Sequence, residues 1–444
     1  MIYDLLIQQV TVVDPGPEGV RAQAGQDVLI QGPRIVAVQP TGQVDPTSAA
    51  RVIRGEGMVA MPGLINTHAH ATMVLFRGSA EDVPIEEWFN DYIWAMETNL
   101  TPEDIYWGAM LAAAEMIESG ITTVADHYFE MDRVAEAFVA AGLRAHLAWA
   151  MFGQNPREEL DRTAAFAARW HGAAEDRIRV WMGPHAPYTC PYEFLQEVAR
   201  EARRLGLGVH IHVSETTEQV QSSLQRYGVT PIQLLERAGL MEGPLLCAHA
   251  AHATSEDIAL MAAHRVGVAH CPKTFLKLAA GIAPVVAMRQ AGIPVGLGTD
   301  GAASNNTLDL WEQMRLTALL QKHERRDARA LPLHEALTMA TWDGARALGE
   351  EERLGRLAPG YLADLILVRL DGAHVQPVHR VEAALVYAVR ASDVDTVIVN
   401  GKVLMEGRRL LTLDKDEILR QVRACADRLI QRAHGRRLQT YRSQ

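Results

Sequence analysis

The stretch Pro62–Gly78, PGLINTHAHATMVLFRG, is a short apolar run that ends on two histidines separated by one residue. Alternate side chains of a β-strand point to the same side, so His68 and His70 would face the same way. The chain has 17 histidines in 444 residues, and a single H-x-H pair can therefore arise by chance. Its meaning depends on what the rest of the fold brings beside it.

Seven similar apolar runs follow, and segments of helical periodicity separate them. The runs are ITTVADHY (121–128), RAHLAWAM (144–151), RIRVWMGPH (177–185), LGVHIHVSE (207–215), LLCAHA (245–250), VGVAHCP (266–272) and IPVGLGTD (293–300). One separating segment, residues 101–120, begins with Thr101 as a helix N-cap and Pro102 in the first turn, and it ends at Gly120. Eight strands alternating with helices predict an α/β fold, a TIM-type (β/α)₈ barrel over residues 61–355.

Both chain ends contain short strand-like runs outside this repeat. They are DLLIQQVTVV, QDVLIQG and RIVAVQ within residues 1–60, and ADLILVRL and VDTVIVNGKVLMEGRRLL within residues 356–444. Each end is too small to form a sheet domain easily, so we expect the two to combine into one small β-sandwich beside the barrel. An amphipathic segment from Asp414 to about His434 predicts a terminal helix.

Composition limits the function classes. The net charge is −11, from 43 basic and 54 acidic residues, which argues against nucleic acid and anionic membrane as partners. The four cysteines form no C-x-x-C pair, and neither a disulfide framework nor a thiolate zinc site is indicated. Without a signal-peptide pattern or an apolar run of spanning length, the sequence predicts a cytoplasmic protein that is neither secreted nor membrane-inserted.

The predicted barrel strands end on potential metal ligands. Active sites of such barrels lie at the carboxyl ends of the strands, and the runs end there on His68, His70, His185, His210, His212, Glu215, His249 and Asp300. Three imidazoles and a carboxylate from different strands make a mononuclear metal set. His210 occurs earlier in its run, so we expect it deeper in the barrel, as a partner of a ligand.

The ligand-type residues at these strand ends predict metal-assisted hydrolysis. A divalent ion lowers the pKa of its bound water to about 7, which supplies hydroxide at neutral pH. His249 or Asp300 could take and relay the proton, and Glu215, three residues after His212, could protonate the substrate. The sequence has no G-x-S-x-G nucleophile motif and no standard glycine-rich phosphate loop.

Five motifs together resemble the amidohydrolase superfamily. They are PGLINTHAH, HIHVSET, CAHAAHATSEDI, LKLAAGIAPV and GTDGAASNNTLDLWEQMR. The chain is most similar to the cytosine-deaminase-like branch, which includes S-adenosylhomocysteine/5′-methylthioadenosine deaminases and s-triazine hydrolases. The resemblance covers essentially the whole chain, because GRLAPGYLADLILV (355–368) is typical of the family's split β-domain.

The resemblance implies one divalent ion per subunit, zinc or iron, held by a set of four ligands. These are His68, His70, His212 and Asp300. Glu215 and His249 would then be the proton-handling pair, with His249 orienting the attacking water and Glu215 protonating a ring nitrogen. Asp300 would act both as a ligand and in catalysis.

The resemblance also implies residues that bind substrate. His185 resembles the substrate-contacting histidine of adenosine-type deaminases, Glu97 matches the position that holds a ribose diol, and Trp88 would form part of the pocket wall. Two positions depart from the pattern: Trp149 stands where S-adenosylhomocysteine-type deaminases carry an arginine for the amino-acid tail, and Phe275 replaces part of a Ser-Asn pair. Arg157 could substitute for that arginine only in part.

The expected function is hydrolytic deamination of an adenine nucleoside, with ammonia as a product. The two departures favour 5′-methylthioadenosine or adenosine over S-adenosylhomocysteine. One alternative is an s-triazine or other heteroaromatic amino- or chlorohydrolase, and another is a non-catalytic, metal-stabilised binding module. The resemblance also implies a homo-oligomer, either a dimer or a tetramer.

Overall fold

The structure is a computed structural model that describes residues 2–431. The first five strands are β1 (Tyr3–Gly16), β2 (Gly19–Gln31), β3 (Arg34–Pro40), β4 (Ala49–Arg54) and β5 (Met58–Pro62). β1, β2 and β3 form an antiparallel meander, while β4 and β5 pair with β1 in parallel. The three strand-like runs predicted within the first sixty residues are confirmed as β1, β2 and β3.

The next strands form a closed parallel barrel. They are β6 (Leu64–His70), β7 (Ile121–Tyr128), β8 (Arg144–Met151), β9 (Ile178–Pro184), β10 (Val209–Val213), β11 (Leu245–His249), β12 (Gly267–His270), β13 (Val295–Leu297) and β14 (Asp300–Gly301). β13 and β14 occupy the eighth strand position in succession, and both pair with β6 to close the barrel. All eight predicted runs are therefore barrel strands.

Four later strands complete the first sheet. They are β15 (Leu365–Arg369), β16 (Val394–Val399), β17 (Lys402–Glu406) and β18 (Arg409–Leu410). β15 pairs with β5 in antiparallel fashion, which joins the two chain ends. The resulting small β-domain is one continuous mixed sheet of nine strands in hydrogen-bonding terms. The division at residues 60/61 and 355/356 stays a prediction, and β5 lies across the first of these boundaries.

Helices fill the connections. Their bounds are Ile85–Glu87, Trp94–Glu97, Pro102–Glu118, Met131–Ala141, Pro156–Trp170, Tyr192–Leu205, Thr217–Tyr227, Pro231–Arg237, Ser255–Ala263, Pro272–Lys277, Val285–Gln290, Ala302–Asn305, Leu310–Arg325, Leu333–Met339, Trp342–Ala347, Val381–Ala383 and Lys415–Gln431, with a helical turn at Ala173–Asp176. Short 3₁₀ segments are Pro46–Ser48, Ala71–Phe76, Leu240–Glu242 and Ala391–Asp393, and π segments are Trp88–Ile93 and Ala384–Ala388.

Two helices test the sequence predictions directly. The Pro102–Glu118 helix has Thr101 as its N-cap in a capping box with Asp104, and Gly120 beyond its end has φ +87°. The predicted terminal helix is present as Lys415–Gln431, one residue after the predicted start at Asp414, and its predicted span beyond residue 431 lies outside the described residues. Within residues 2–431 no helix combines the length and the apolar character needed to cross a membrane.

Candidate active site

The carboxyl ends of the barrel strands carry strained backbone. Ser214, His249 and Asp300 have positive φ angles of 49°, 78° and 57°, although none is a glycine. Such conformations cost free energy and cluster at functional sites. They occur just after β10, at the end of β11 and at the start of β14, where side chains from separate strands converge.

The four predicted ligands lie together at this rim. Asp300 Oδ1 is 3.5 Å from His68 Nε2 and 3.3 Å from His70 Nε2. His212 Nε2 is 3.2 Å from His70 Nε2. The same cluster contains three overlapping groups whose ligand atoms lie within 4.8 Å of one another, and His249 and His127 take part in these.

The hydrogen bonds of the histidines fix which ring nitrogen faces the cluster. His70 Nδ1 donates to the carbonyl oxygen of His127 at 2.6 Å, and His212 Nδ1 donates to that of His185 at 2.8 Å. In a neutral imidazole the other nitrogen then carries a lone pair. The Nε2 lone pairs of His70 and His212 are directed into the same small space, where they repel each other unless a cation lies between them.

Burial keeps these imidazoles in the neutral form that ligates metals. It lowers the pKa of His68 to about 3 and also lowers the pKa values of His70 and His212. His68 Nε2 is buried and has no hydrogen-bond partner within the described part of the chain. Its Nδ1 lies 2.8 Å from His210 Nε2, so His210 is behind His68, as expected. The donor set and this orphaned nitrogen fit a divalent cation.

Two further groups beside the cluster can exchange protons. Glu215 Oε1 is 3.7 Å from His249 Nε2, and both side chains are buried. Burial raises the pKa of Glu215, which favours its protonated form. Gln219 Nε2 donates to Glu215 Oε2 at 3.4 Å and so orients this carboxyl group. A protonated carboxyl group next to an imidazole suits general acid–base catalysis.

The rim opens into a cavity with about 580 Å³ of space free of protein atoms, part of it open to solvent. Its aromatic lining consists of Trp88, Phe89, Trp94, Tyr128, Phe129, Phe152 and Tyr188. The lining also includes Glu97, whose Oε1 accepts a hydrogen bond from the Tyr128 hydroxyl at 2.7 Å. Burial raises the pKa of Glu97 to about 7, and the Tyr128 hydrogen bond opposes this rise.

Three of the five predicted substrate-binding residues line this cavity: Glu97, His185 and Trp88. The His185 ring stacks on Phe152, with ring centroids 4.9 Å apart. Trp88 Nε1 is buried without a hydrogen-bond partner among the described residues. This buried N–H group is therefore an unsatisfied donor.

The structure does not bring Trp149 and Arg157 to the cavity. Side chains alternate along β8, so Ala150 faces the cavity while Trp149 faces the Pro156–Trp170 helix. Trp149 packs edge-on against Phe166 there, with the Arg162 guanidinium over its ring at 5.0 Å. The Arg157 side chain is 91% exposed and pairs with Asp161.

The sequence interpretation missed several residues at the ends of β7 and β8. His127 supplies the carbonyl that orients His70, Tyr128 holds Glu97, and Phe129 and Phe152 form the outer wall. Their position was a usable signal, because they occupy or directly follow the carboxyl ends of predicted strands. His127 is a ligand-type residue at such a strand end, and the other three are aromatic.

Comparisons with known proteins agree with this geometry. The model of the amidohydrolase family matches residues 59–404. A 5-methylthioadenosine/S-adenosylhomocysteine deaminase of Pelotomaculum thermopropionicum is 48% identical over 433 residues, which cover 97% of this chain and 99% of the relative. A relative of the same name from Desulforudis audaxviator is 50% identical over 408 residues, which cover 91% of this chain and 95% of the relative.

Two solved structures are similar over nearly the full length. A zinc-bound adenosine deaminase from Xanthomonas campestris has a TM-score of 0.92 at 34% identity and covers 97% of this chain and 99% of its own. A zinc-bound atrazine chlorohydrolase from Arthrobacter aurescens has a TM-score of 0.87 at 29% identity, covering 95% of this chain and 100% of its own. With the family match and this site geometry, the chain belongs to the amidohydrolase family and is a hydrolytic enzyme of that family.

Proposed function

We propose that this chain is a metal-dependent aminohydrolase that deaminates an adenine nucleoside: 5′-methylthioadenosine, adenosine or S-adenosylhomocysteine. The observation that carries the proposal is the buried Glu215–His249 pair beside the His/Asp cluster, at the closed end of a cavity that also contains Glu97. The names of the relatives at 48% and 50% identity support the same activity.

We propose a single zinc ion as the resident metal, held by His68, His70, His212 and Asp300. The support is the neutral histidine set, the opposed Nε2 lone pairs and the orphaned His68 nitrogen. When bound, a divalent ion of this kind acts as a Lewis acid and lowers the pKa of water. Zinc in two similar solved structures favours this metal over iron.

The chain's own residues would handle the protons. A water oxygen adds to the amine-bearing ring carbon while Glu215 gives its proton to the adjacent ring nitrogen. His249 orients that water, and His249 or Asp300 takes up its proton and passes it to the departing amine. The carbon–nitrogen bond then breaks, ammonia leaves, and the remaining hydroxyl proton returns to Glu215 as the oxygen becomes the ring carbonyl. Burial of Glu215 suits this role, because the carboxyl group must begin the cycle protonated.

Substrate would be held along the cavity wall. Glu97, kept in place by the Tyr128 hydroxyl, would accept hydrogen bonds from the ribose diol. His185, stacked on Phe152, and the Trp88 side chain would contact the nucleoside. A small heteroaromatic amine is thus the proposed partner, and a homo-oligomeric state and a cytoplasmic location stay predictions.

Two alternatives receive less support. The triazine hydrolases among the similar structures are about 29% identical to this chain, below the identity of the deaminases. A purely structural metal site would have no use for Glu215 and His249 next to the cluster, and it would be coordinatively closed. Nucleoside deamination therefore accounts for more of the observed residues than either alternative.

The test measures ammonia release from adenosine, 5′-methylthioadenosine, S-adenosylhomocysteine and an amino- or chlorotriazine by zinc-loaded protein. We expect turnover of at least one nucleoside, loss of activity after chelation, and recovery with added zinc. Glu215→Gln should lower kcat by about 10²–10⁴-fold, the usual contribution of a general acid.

His212→Gln should lower the zinc content measured by atomic absorption, whereas His323→Gln, at an exposed helix position, should change neither zinc nor activity. If protein with one bound zinc ion released no ammonia from any of the nucleosides, the proposed function would be contradicted.

A further inference from the structure

The described residues that line the cavity include three acidic side chains and neither lysine nor arginine. The acidic side chains are Glu97, Glu215 and Asp300, of which Asp300 would be bound to the zinc ion and Glu215 would begin the cycle protonated. A carboxylate held away from the metal cluster in this cavity would lose hydration without gaining a lysine or arginine partner among the described lining residues.

A stack of rings leads from the metal cluster to the cavity mouth. The ring centroid of His185 is 4.8 Å from that of His212, Phe152 lies 4.9 Å beyond His185, and Phe129 stacks on Phe152 at 6.1 Å. Phe152 and Phe129 are only half-buried, so they form the outer part of the wall. If the reacting end of a nucleoside lies at the cluster, its distant substituent passes these two phenylalanines.

Among the described residues, the two depressions that share a lining residue with the cavity contain one lysine, Lys277, and one arginine, Arg226, and neither lines the cavity itself. A neighbouring depression that shares Leu278 with the cavity is lined by Asp82, Glu86 and Glu218. Its lysine, Lys277, is already paired with Glu81 at 2.7 Å. On the other side, Arg162 lies over Trp149, behind the wall.

We propose that this enzyme selects adenine nucleosides whose 5′ substituent is uncharged and discriminates against the carboxylate-bearing tail of S-adenosylhomocysteine. The inference rests on the proposed function and narrows its substrate class. The cause is the aromatic mouth formed by Phe129 and Phe152, together with the absence of lysine and arginine among the described residues that line the cavity. Trp149, which faces a helix, takes no part in the discrimination.

The experiment compares kcat/KM for adenosine derivatives that carry one of three 5′-thioethers: methyl, butyl and carboxypropyl. S-adenosylhomocysteine is the fourth substrate. The butyl probe controls for size, since it is similar in length to the carboxypropyl probe but uncharged. We expect the butyl probe to be used within a few-fold of the methyl one, and the carboxylate probe about tenfold to a hundredfold less well, as an unpaired charge requires.

A variant that gains activity on the charged probe distinguishes an effect of charge from a loss of activity through misfolding. Phe152→Arg puts a cation at the mouth and should raise the carboxypropyl-to-butyl ratio of kcat/KM about tenfold or more. Leu319→Arg, at a position 49% exposed on the Leu310–Arg325 helix, adds the same charge away from the mouth and should leave the ratio unchanged.

Equal use of the carboxypropyl and butyl probes by the unmodified enzyme would overturn the inference, while turnover of 5′-methylthioadenosine would leave the proposed function intact. If that equality disappeared in Arg226→Gln, the anion would be bound beyond Tyr188, where Arg226 lines a second depression. Equally poor use of both long probes would also overturn it, in favour of selection by size. No turnover of any nucleoside would instead refute the proposed function itself.

Discussion

Glu97 and Tyr128 act as one unit in the cavity wall. Glu97 is 7% exposed, and the Tyr128 hydroxyl donates to its Oε1. Burial raises the pKa of Glu97 to about 7, whereas the hydrogen bond lowers it. The group therefore changes charge near neutral pH, and only the carboxylate accepts hydrogen bonds with both oxygens.

This pair makes KM dependent on pH. Glu97 is protonated below pH about 7 and ionised above it, so KM for a nucleoside should fall as pH rises through that value. Tyr128→Phe removes a hydrogen bond to the ionised form, and the midpoint should therefore move to higher pH. Steady-state kinetics with 5′-methylthioadenosine at about ten pH values between about 5.5 and 9 would give KM against pH for the unmodified enzyme and for Tyr128→Phe.

Glu97→Gln is the control, because it cannot ionise. Its KM should be higher and should lack this transition. A midpoint that stays in place after Tyr128→Phe would show that the titrating group is not Glu97.

The ligand-type residues could be predicted from the sequence because their chemistry shows in their identity. Histidines and an aspartate at strand ends are unusual enough to be recognised together, and His68, His70, His212 and Asp300 do lie within a few ångströms of one another. The direction of the Trp149 side chain depends on the alternation of side chains along β8. The family resemblance at position 149 did not predict which of the alternating side chains face the cavity. Arg157 was misleading because its helix projects it into solvent.

The loop after β8 is held by one carboxylate. Glu159, in the first turn of the Pro156–Trp170 helix, accepts hydrogen bonds from the backbone N–H groups of Phe152, Gly153 and Asn155 at 2.7, 2.9 and 3.0 Å. The carboxylate is buried, so these donors have no ready replacement in water. The position of the Phe152 ring at the cavity mouth thus depends on Glu159.

Glu159→Gln should weaken both the loop and the substrate site. A side-chain amide keeps one acceptor oxygen and turns an NH₂ group toward backbone donors, which should cost about 1–3 kcal/mol. Denaturant unfolding would measure that loss, and KM for 5′-methylthioadenosine should rise as Phe152 becomes mobile. Glu158→Gln, at the exposed neighbouring position, is the matched control. An unchanged free energy of unfolding would mean that the loop does not need the carboxylate.

Element types followed the sequence closely where patterns are local. The eight barrel strands and the capped Pro102–Glu118 helix could be predicted because the spacing of apolar residues and the capping residues can be read within a single segment of sequence. Strand pairing is different, since it joins segments that are far apart in the chain. The sequence therefore predicted that the two ends combine, but it did not reveal that their strands form one continuous sheet of nine.

A buried ion pair connects the barrel to the mixed sheet. Arg144, at the start of β8, donates to Asp364 at 2.7 and 3.2 Å, and Asp364 also accepts from the backbone N–H of Asn400 at 2.7 Å. Both charged side chains are under 5% exposed. The pair lies at the amino end of β8, opposite the active site, where barrels carry residues for stability.

Asp364→Asn should destabilise the whole molecule, because it leaves the Arg144 guanidinium buried without its counter-charge. The expected loss is about 3–5 kcal/mol, measured by chemical denaturation, with little change in KM for the folded fraction. Asp371→Asn, at an exposed position, should be neutral. A loss confined to activity would indicate that the pair serves the site instead.

Gly63 alone separates β5 of the mixed sheet from β6, which carries His68 and His70. β5 is hydrogen-bonded on one side by β1 and on the other by β15, which begins at Leu365. During synthesis, β5 therefore leaves the ribosome about 300 residues before its second partner exists, a delay on the order of 15–60 s at usual translation rates. For that time an apolar strand edge lies open to pairing with other chains. The edge of β5 must therefore be kept from other chains until β15 is made. We expect chains truncated before residue 365 to aggregate more than the full chain.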